Sequence, residues 1–452
     1  MLFLYFATFA IVTSCFTKSF SNTENTIALI KSTDITKNKL KVIVNQEFKN
    51  KYLREDFFIK YHNDDVDLTK LDYSIVIMPF LLNVISMVWN SGKRYTIPSL
   101  DSNLYASLEI IKKNYIKMYP NLPWTGELIP DKLVKNKVEC NTTHPESIAL
   151  TFSGGLDSTF SCFAHFDQEV YLISAWGHPD IPLNQKEKWA IRKKQLLSFA
   201  QAYNKKLSFF ESNYITFINW NKLNRLSPAI IDWRLGTLEG LSLTGLVAPL
   251  LVSKKICELR IASSYTWSYP YATAANPFVD NNIRFAGGIR VIHDGFEFNR
   301  HDKINYIVNV CKDKNLKKPF LKVCDYQATS NCCDAKKCKK CLSTIISLMV
   351  LNEDWKAYGF NIERNEAIHR VQTLLAPDIL CETFIRKFGE IQSAVLKDSA
   401  TTSKKIPSDL EWLLSIDFTK KKISDKKYGI KVNWLTDFQE FLPEGLVLPK
   451  TI

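Results

Sequence analysis

The spacing of apolar residues predicts alternating strands and helices from residue 147 onwards. Short apolar runs of strand length occur in SIALTF, EVYLISAWG, LSFFESN and ELRIASSY. The segments between them, LDSTFSCFAHF, NQKEKWAIRKKQLLSFAQAYN and TLEGLSLTGLVAPLLVSKK, have the length and apolar content of helices. This alternation predicts an α/β fold, with a parallel sheet covered by helices on both faces.

The regions on either side of this alternation have different patterns. Before it, KLKVIVN and EDFFIKYH are predicted strands, YSIVIMPFLLNVISMVW is a strand or a buried helix, and SLDSNLYASLEIIKKNYIKMY is an amphipathic helix. After residue 350 the pattern is mostly helical. We therefore predict an N-terminal α+β region over 1–145, a central domain over 146–350 and a helical C-terminal region over 351–452.

The first seventeen residues, MLFLYFATFAIVTSCFT, contain no charged side chain. They lack the basic start and the small-residue cleavage site of a secretory signal peptide, and they are short for a transmembrane helix. Their aromatic and β-branched residues favour a buried strand or another buried segment. A targeting segment is the alternative.

Composition and charge are those of a globular protein with a basic excess. The chain of 452 residues is 46% hydrophobic and 23% charged, and its formal net charge is +13. Such an excess suits partners rich in phosphate, including nucleic acids. The lysines are scattered, however, and only short basic pieces such as KKCKKC occur, so nucleic acid is not specifically indicated. A protein partner or a homo-oligomer remains open.

A turn with two adjacent glycines, SGGLDS, lies between the first strand of the alternation and its helix. The N–H groups at a helix N-terminus lack intrahelical partners and bind anions. Gly154 and Gly155 allow a phosphate to approach the backbone closely, and Ser153 and Ser158 add hydroxyl donors. Asp157 suggests a bound Mg²⁺, since a carboxylate alone would repel phosphate. No Gly-Lys-Ser/Thr follows, which excludes a Walker A loop; an ordinary capped turn is the alternative.

Five of the 11 cysteines fall in CDYQATSNCCDAKKCKKC, between residues 324 and 341. Cysteines clustered in this way outside a small secreted domain indicate a metal rather than a disulfide framework. Four thiolates complete a tetrahedral structural Zn²⁺ site, and free buried cysteines are the alternative. The predicted ligands are Cys324, Cys332, Cys338 and Cys341, with Cys333 as the alternative to Cys332.

SGGLDS resembles the phosphate-binding loop of the N-type ATP pyrophosphatases, the PP-loop superfamily. Membership would imply a Rossmann-like domain, cleavage of ATP between its α and β phosphates, and transfer of AMP to a substrate oxygen. The resemblance places Ser174, Ala175 and Trp176 on the adenine side of ATP. It places pyrophosphate and Mg²⁺ on Ser153, Gly154, Gly155, Leu156, Asp157 and Ser158.

A PP-loop followed by a late cysteine-rich loop is similar to 7-cyano-7-deazaguanine synthase, in which a zinc loop closes over the deazaguanine site. The interval after the second cysteine is longer here than in that family. GFEFNRHDKINYI resembles the family segment in which a basic residue opens a helix. This makes Arg300 a candidate for binding phosphate or substrate, with Lys303 as the weaker choice and a surface charge as the alternative. The layout of the long chain is more similar to the deazaguanine-synthase-like proteins of bacterial anti-phage defence operons, such as the C component of the Qat system.

Other polar residues follow predicted strands and are candidates for the same edge of the sheet. Ser263 and Ser264 come after the strand ELRIA and would hydrogen-bond ATP or substrate. His293 and Asp294 in VIHDG would line the substrate site, with His293 as an acid–base catalyst or a structural hydrogen-bonding residue. Aromatic residues that would stack on a planar base, or pack in the core, are Trp267, Tyr269 and Tyr271.

These features predict an ATP-dependent, adenylate-forming enzyme with Asp157, Arg300 and His293 as its catalytic residues. It would activate a carboxylate or amide oxygen as an AMP ester, and ammonia or an amine would displace AMP. The expected ligands are ATP, Mg²⁺, Zn²⁺ and a small planar base or carboxylate, of the 7-carboxy-7-deazaguanine type by resemblance. Alternatives are an N-acetyl-sugar amidotransferase, a tRNA-thiolating enzyme, and a nucleotide-binding subunit of a defence complex without turnover. The use of ATP favours the cytoplasm, without a membrane partner.

Overall fold

The computed structural model describes residues 26–62, 65–140, 147–226, 230, 232–324, 326–331, 338–402, 405–424 and 430–438. The predictions made for residues 1–17, Cys332 and Cys333 lie outside these ranges. Within them, no helix has both the length and the apolar character that crossing a membrane requires.

The described residues form strands and helices in all three predicted regions. The strands are β1 (Ile27–Ala28), β2 (Ile30–Ile35), β3 (Lys39–Val44), β4 (Phe57–Tyr61), β5 (Arg94–Ile97), β6 (Leu100–Asp101), β7 (Glu127–Pro130), β8 (Leu133–Val134), β9 (Ile148–Thr151), β10 (Val170–Trp176), β11 (Lys206–Ser212), β12 (Glu258–Ala262), β13 (Arg284–Phe285), β14 (Ile289–Asp294), β15 (Ile379–Leu380) and β16 (Lys422–Ile423). The α-helices are α1 (Gln46–Tyr52), α2 (Tyr73–Val76), α3 (Met78–Trp89), α4 (Ser102–Met118), α5 (Leu156–Ala164), α6 (Lys186–Ala202), α7 (Trp220–Leu223), α8 (Trp233–Thr237), α9 (Glu239–Lys254), α10 (Pro277–Asp280), α11 (Arg300–Asp313), α12 (Lys339–Val350), α13 (Arg364–Leu375), α14 (Glu382–Thr402) and α15 (Trp434–Asp437). Short 3-10 helices span Leu68–Lys70, Trp355–Tyr358 and Ser408–Ser415.

A large sheet, nine-stranded among the described residues, runs in the order β13-β14-β12-β9-β10-β11-β4-β3-β2. The strands from β14 to β11 pair in parallel, and the strands outside them pair antiparallel. Taken in chain order, the parallel strands lie in the doubly wound arrangement 3-2-1-4-5. The winding reverses beside β9, and ligands of such sheets bind at the carboxyl ends of the strands at this point. The predicted parallel sheet with helices is confirmed.

The large sheet separates two apolar cores, because side chains alternate between the faces of a strand. Ala149 and Ile173 contribute to a core that contains apolar side chains of α3, α4 and α9. Leu150 and Leu172, their neighbours along the same strands, contribute to a core with α5, α6, α11, α12 and α14. Helices therefore cover both faces of the parallel strands.

The N-terminal region shares the large sheet with the central region. β4 pairs antiparallel with β11, with Tyr61 opposite Phe210, and β3 and β2 extend the sheet beyond it. The segment YSIVIMPFLLNVISMVW forms α2 and α3 rather than a strand, and every side chain of α3 is buried. α3 packs on α9 at Gly245, where an added Cβ would lie 2.6 Å from the carbonyl oxygen of Met78. The sheet is thus continuous across the predicted boundary between residues 145 and 146.

A disulfide bond joins Cys140 to Cys257, which are 117 positions apart in the sequence. Cys140 lies in the segment after β8, and Cys257 immediately precedes β12. Their spacing gave no sign of this pair, since disulfide connectivity cannot be deduced from sequence alone. The bond fastens the connection between the N-terminal region and β9 to the start of β12.

Candidate active site

The turn of residues 153–158 lies between β9 and α5, beside the point where the winding of the sheet reverses. α5 begins at Leu156, and no side chain caps its N-terminus, so its first N–H groups are available to a ligand. Gly154 has a φ of +70°, in the left-handed region that glycine adopts without strain. Its carbonyl oxygen accepts a hydrogen bond of 3.0 Å from the N–H of Lys322, which fixes the turn.

Hydroxyl groups reinforce this turn from within. The Oγ atoms of Ser153 and Ser158 lie 3.2 Å apart, and Ser153 Oγ accepts a hydrogen bond of 3.3 Å from the N–H of Gly155. Ser153 is exposed, whereas Ser158 is buried. The side chain of Leu156 belongs to the core, so only its backbone can contact a phosphate. The turn thus lies at a strand–helix junction, as its sequence predicted.

Substitution of Gly154 by alanine is expected to lower the free energy of unfolding by about 1–2 kcal/mol, because an L-residue is strained at positive φ. The added Cβ would also lie 3.2 Å from Leu196 Cδ2. Chemical denaturation measures the change. Gly389→Ala in α14 is the control, since the nearest atom to its Cβ, Phe418 Cδ2, lies 4.0 Å away. The control should be neutral or stabilising by up to about 1 kcal/mol, and equal effects of both substitutions would contradict the expectation.

A cavity of about 220 Å³ lies next to this turn. Residues from the N-terminal ends of α5, α11, α12 and α14 line it, together with the segment after β12. Only one carboxylate, that of Asp157, belongs to its described lining. The excess of positive charge favours an anionic ligand. The cations that line the cavity are Arg300, Lys303, Lys340, Arg386 and Lys387.

Lys303 connects Asp157 to the end of β12. Its Nζ donates to Asp157 Oδ1 at 3.3 Å and to the carbonyl oxygen of Ser263, and its side chain is 2% exposed. Burial would raise the pKa of Asp157, but Lys303, Arg300 and Lys340 together hold it below its usual value. An ionised carboxylate in a cationic, phosphate-sized cavity is a suitable ligand for Mg²⁺. Lys303, the weaker candidate in the sequence, is therefore central to the site.

Arg300 is the first residue of α11 and reaches across to α12. Its Nε and Nη2 donate to Thr344 Oγ1 at 3.3 and 3.2 Å. Asn299 and Asp302 form a capping box that begins α11, so the guanidinium is held at a well-defined helix start. The structure thus brings together three residues that the sequence singled out, Asp157, Arg300 and Lys303.

The first turns of α14 contribute residues that sequence reasoning did not find. Thr383, Arg386 and Lys387 line the cavity, although this region carries no recognised motif. Lys387 is only 8% exposed. Burial, together with Arg300, Lys340 and Arg386, holds the pKa of Lys387 well below its usual range. The available signal was a lysine next to Phe388 on the otherwise apolar face of a predicted helix.

The residues assigned to the adenine side form the carboxyl end of β10, the neighbour of β9. Ser174 is buried, and its Oγ donates to the carbonyl oxygen of Phe152 at 2.6 Å. Trp176 stacks on Trp189 with 5.7 Å between ring centroids. Ala175 lies between them on β10, and none of the three lines the cavity beside Asp157. These residues lie at the same edge of the sheet as the glycine turn. They are on the β10 side of β9, whereas the segment that lines the cavity follows β12, on the opposite side of β9.

The buried position of His293 separates it from the cavity. Its side chain is fully buried, and its Nδ1 lies 2.8 Å from Asp280 Oδ2. The ring also packs against Phe296. Asp294 points to the other face of β14, where it contacts His165 and Arg260. The structure therefore does not bring His293 to the anion site.

The polar and aromatic residues after β12 divide between cavity and core. Ser263 is fully buried, and its Oγ donates to the carbonyl oxygen of Tyr265 at 2.6 Å, whereas Ser264 lines the cavity. Tyr269 also lines it and stacks on Tyr265 with 4.1 Å between ring centroids. The two other aromatics named from the sequence make different contacts. Trp267 packs on Phe278 and Phe296, and the hydroxyl of Tyr271 donates to Glu382 at 3.3 Å.

Three predicted metal ligands are assembled in the structure. The thiols of Cys324, Cys338 and Cys341 are buried and lie within 4.8 Å of one another. Cys338 precedes α12 and Cys341 lies in its first turn, while Asn331 Oδ1 accepts from the N–H of Cys324 at 3.2 Å. A buried set of thiols this compact fits a structural Zn²⁺, which binds thiolates at about 2.3 Å. Lys340 lies between two of these cysteines and lines the cavity, so a metal here would help to position that cation.

Comparison with known proteins does not place the chain in a family. No family model matches its sequence, and no curated protein matches it either. The function must therefore be inferred from the geometry of the site and from the residues it contains.

Proposed function

We propose that the chain is an ATP-dependent, adenylate-forming enzyme of the PP-loop type. The observation that carries the proposal is the position of the glycine turn, at the winding reversal of the sheet and next to a cavity lined by five cationic side chains. Uncapped helix N–H groups and clustered cations suit a polyphosphate. The resemblance of SGGLDS to the PP-loop supports ATP as its source.

The proposed roles of the residues follow from their contacts. The N–H groups at the start of α5 would hold the pyrophosphate portion of ATP, and Asp157 would hold Mg²⁺, which neutralises phosphate charge when bound. Arg300 and Lys340 would stabilise the negative charge that develops as pyrophosphate leaves. Positioning and charge stabilisation account for most of the catalysis in phosphoryl-transfer reactions. An acyl-enzyme nucleophile is not needed, and His293 has no part in the proposed chemistry.

The acceptor would approach from the side of the cavity formed by the segment after β12. The stacked pair Tyr265 and Tyr269 offers an aromatic surface for a planar base. The resemblance to 7-cyano-7-deazaguanine synthase suggests that the acceptor is a carboxylate of the 7-carboxy-7-deazaguanine type. ATP would activate this carboxylate as an AMP ester, and ammonia or an amine would then attack it and displace AMP. A role in anti-phage defence rests on the same resemblance.

The compartment of the proposed enzyme is open to a simple test. The use of ATP places the proposed chemistry in the cytoplasm, whereas the disulfide between Cys140 and Cys257 is more typical of oxidising compartments. Cell fractionation with thiol labelling of the native protein would decide between them.

Mass spectrometry of a reaction mixture tests the proposed function directly. The pure protein is incubated with ATP, Mg²⁺ and 7-carboxy-7-deazaguanine, with and without ammonia, and AMP and pyrophosphate are followed. We expect AMP and pyrophosphate in equal amounts, dependent on the acceptor. ATP binding without either product would instead favour the alternative of a nucleotide-binding subunit without turnover.

A further inference from the structure

The side chain of Lys387 is buried in the wall of the cavity, and its amine makes no hydrogen bond or ion pair with any described residue. The side chain is 8% exposed. A buried amine costs folding free energy unless a partner compensates for its lost hydration. The position of Lys387 therefore calls for an explanation other than stability.

The surroundings of Lys387 make its position more costly. Arg300, Lys340 and Arg386 all disfavour a further positive charge there, and together with burial they hold its pKa well below the usual range. Removal of the amine from such a site should stabilise the protein that has no ligand bound. If Lys387 instead contributed to folding, its replacement would lower the stability of the ligand-free protein.

The two carboxylates whose charges act on Lys387, those of Asp157 and Glu390, each accept a hydrogen bond from another cation, although Glu390 Oε2 itself has no hydrogen-bond partner among the described residues. Asp157 accepts from Lys303 at 3.3 Å, and Glu390 accepts from Arg386 at 3.2 Å. Five cations and one carboxylate line the cavity, and Lys387 forms no direct hydrogen bond or ion pair with a carboxylate of the described chain. An anion that enters the cavity could form an ion pair with the amine of Lys387.

We propose that Lys387 is an oxyanion-binding residue, and that α14 of the C-terminal region thereby completes the anion site beside the glycine turn. The cavity volume of about 220 Å³ suits a small oxyanion rather than a whole nucleotide, since pockets for larger ligands measure about 300–1,000 Å³. The oxyanion could be supplied either by the terminal phosphates of ATP or by the carboxylate of the acceptor, since both present negatively charged oxygen atoms. This role deepens the proposed anion site, but it does not require turnover.

Binding of an oxyanion should be accompanied by uptake of a proton. The ligand's negative charge would restore a more usual pKa to Lys387, so the amine would become protonated in the complex. Affinity should then fall as the pH rises through the depressed pKa of the free protein towards the usual lysine value. The charged and titratable groups that surround Lys387 are Asp157 of α5, Arg300 and Lys303 of α11, Lys340 of α12, Arg386 and Glu390 of α14, and Tyr265 and Tyr269 after β12.

The variant Lys387→Met tests the role because it keeps the length of the side chain and removes the amine. Titration calorimetry of the full chain with Mg²⁺ and inorganic pyrophosphate forms one arm, and titration with 7-carboxy-7-deazaguanine forms the other. We expect affinity in at least one arm to fall by about 10- to 100-fold, as for loss of a charged hydrogen bond. The affected arm identifies the source of the oxyanion. Lys397→Met, exposed on the same helix, is the matched control and should bind like the wild type.

Two further measurements separate ligand binding from a structural role. The melting temperature of Lys387→Met without ligand should equal or exceed that of the wild type, and proton uptake, measured in buffers of different ionisation enthalpy, should disappear. Lys387→Gln serves as a second variant. Wild-type affinity in both arms, or weaker binding accompanied by a lower melting temperature in both variants, would overturn the proposal. If binding depends on Lys387 but ATP is never cleaved, the oxyanion role stands and the adenylation proposal fails.

Discussion

Replacement of Asp157 by asparagine is expected to reduce pyrophosphate release from ATP by about 10²- to 10³-fold, the scale of losing one key electrostatic group. Asparagine keeps the shape of the side chain but removes the charge that would bind Mg²⁺. Lys303 would retain its hydrogen bond to the carbonyl oxygen of Ser263, so the local fold should survive. Initial rates of pyrophosphate release at saturating ATP measure the effect.

The control for this experiment is Asp167→Asn. Asp167 is an exposed carboxylate whose ion pair with Lys314 lies on the surface, so its removal should leave the rate unchanged. The zinc content and circular dichroism of both variants should match those of the wild type. A rate for Asp157→Asn within a factor of about two of the control would remove Asp157 from the mechanism.

The second large effect is expected from Cys341→Ser. We expect the purified protein to contain about one zinc ion, bound by thiolates that include Cys341. Loss of this fully buried thiol should release the metal and lower the free energy of unfolding by about 3–5 kcal/mol. Metal analysis and chemical denaturation measure the two changes. Because Lys340 is adjacent to Cys341 and lines the cavity, affinity for pyrophosphate should fall as well.

Cys311→Ser provides the matched control for the metal site. Cys311 is also a buried free thiol, but it does not belong to the cluster of Cys324, Cys338 and Cys341. Its replacement should cost some stability while the zinc content remains unchanged. Equal zinc content in Cys341→Ser and in the control would show that the cluster does not hold the metal.

The parallel strands and the glycine turn could be predicted because both have local signals. β9 to β12 are short apolar runs bounded by polar residues, and SGGLDS lies at a strand–helix junction that sequence alone identifies. The order of the strands could not be obtained in this way. It depends on which faces of β9 and its neighbours pack against helices distant along the chain, and no local pattern records that.

The part of the candidate site that the sequence did not predict also depends on contacts between distant segments. Lys387 and Arg386 reach Asp157 only because α14 packs against α11 and α12. His293 illustrates the opposite case. Its position after a strand suggested an acid–base role, but the alternation of β14 directs the ring to the face opposite Asp294, where it contacts Asp280. Neither His293 nor Asp294 therefore lines the cavity beside Asp157, although both were predicted to line the substrate site.

The antiparallel pairing of β4 with β11 has a practical consequence for work with fragments. Expression of residues 146–452 alone would leave β11 with a row of unpaired N–H and C=O groups along one side. An unpaired edge strand of this kind promotes association with other chains and aggregation. It would also uncover the apolar surface of α9 that α3 occupies in the intact protein. Mutational analysis of this protein should therefore begin with point substitutions in the full-length chain rather than with deletions.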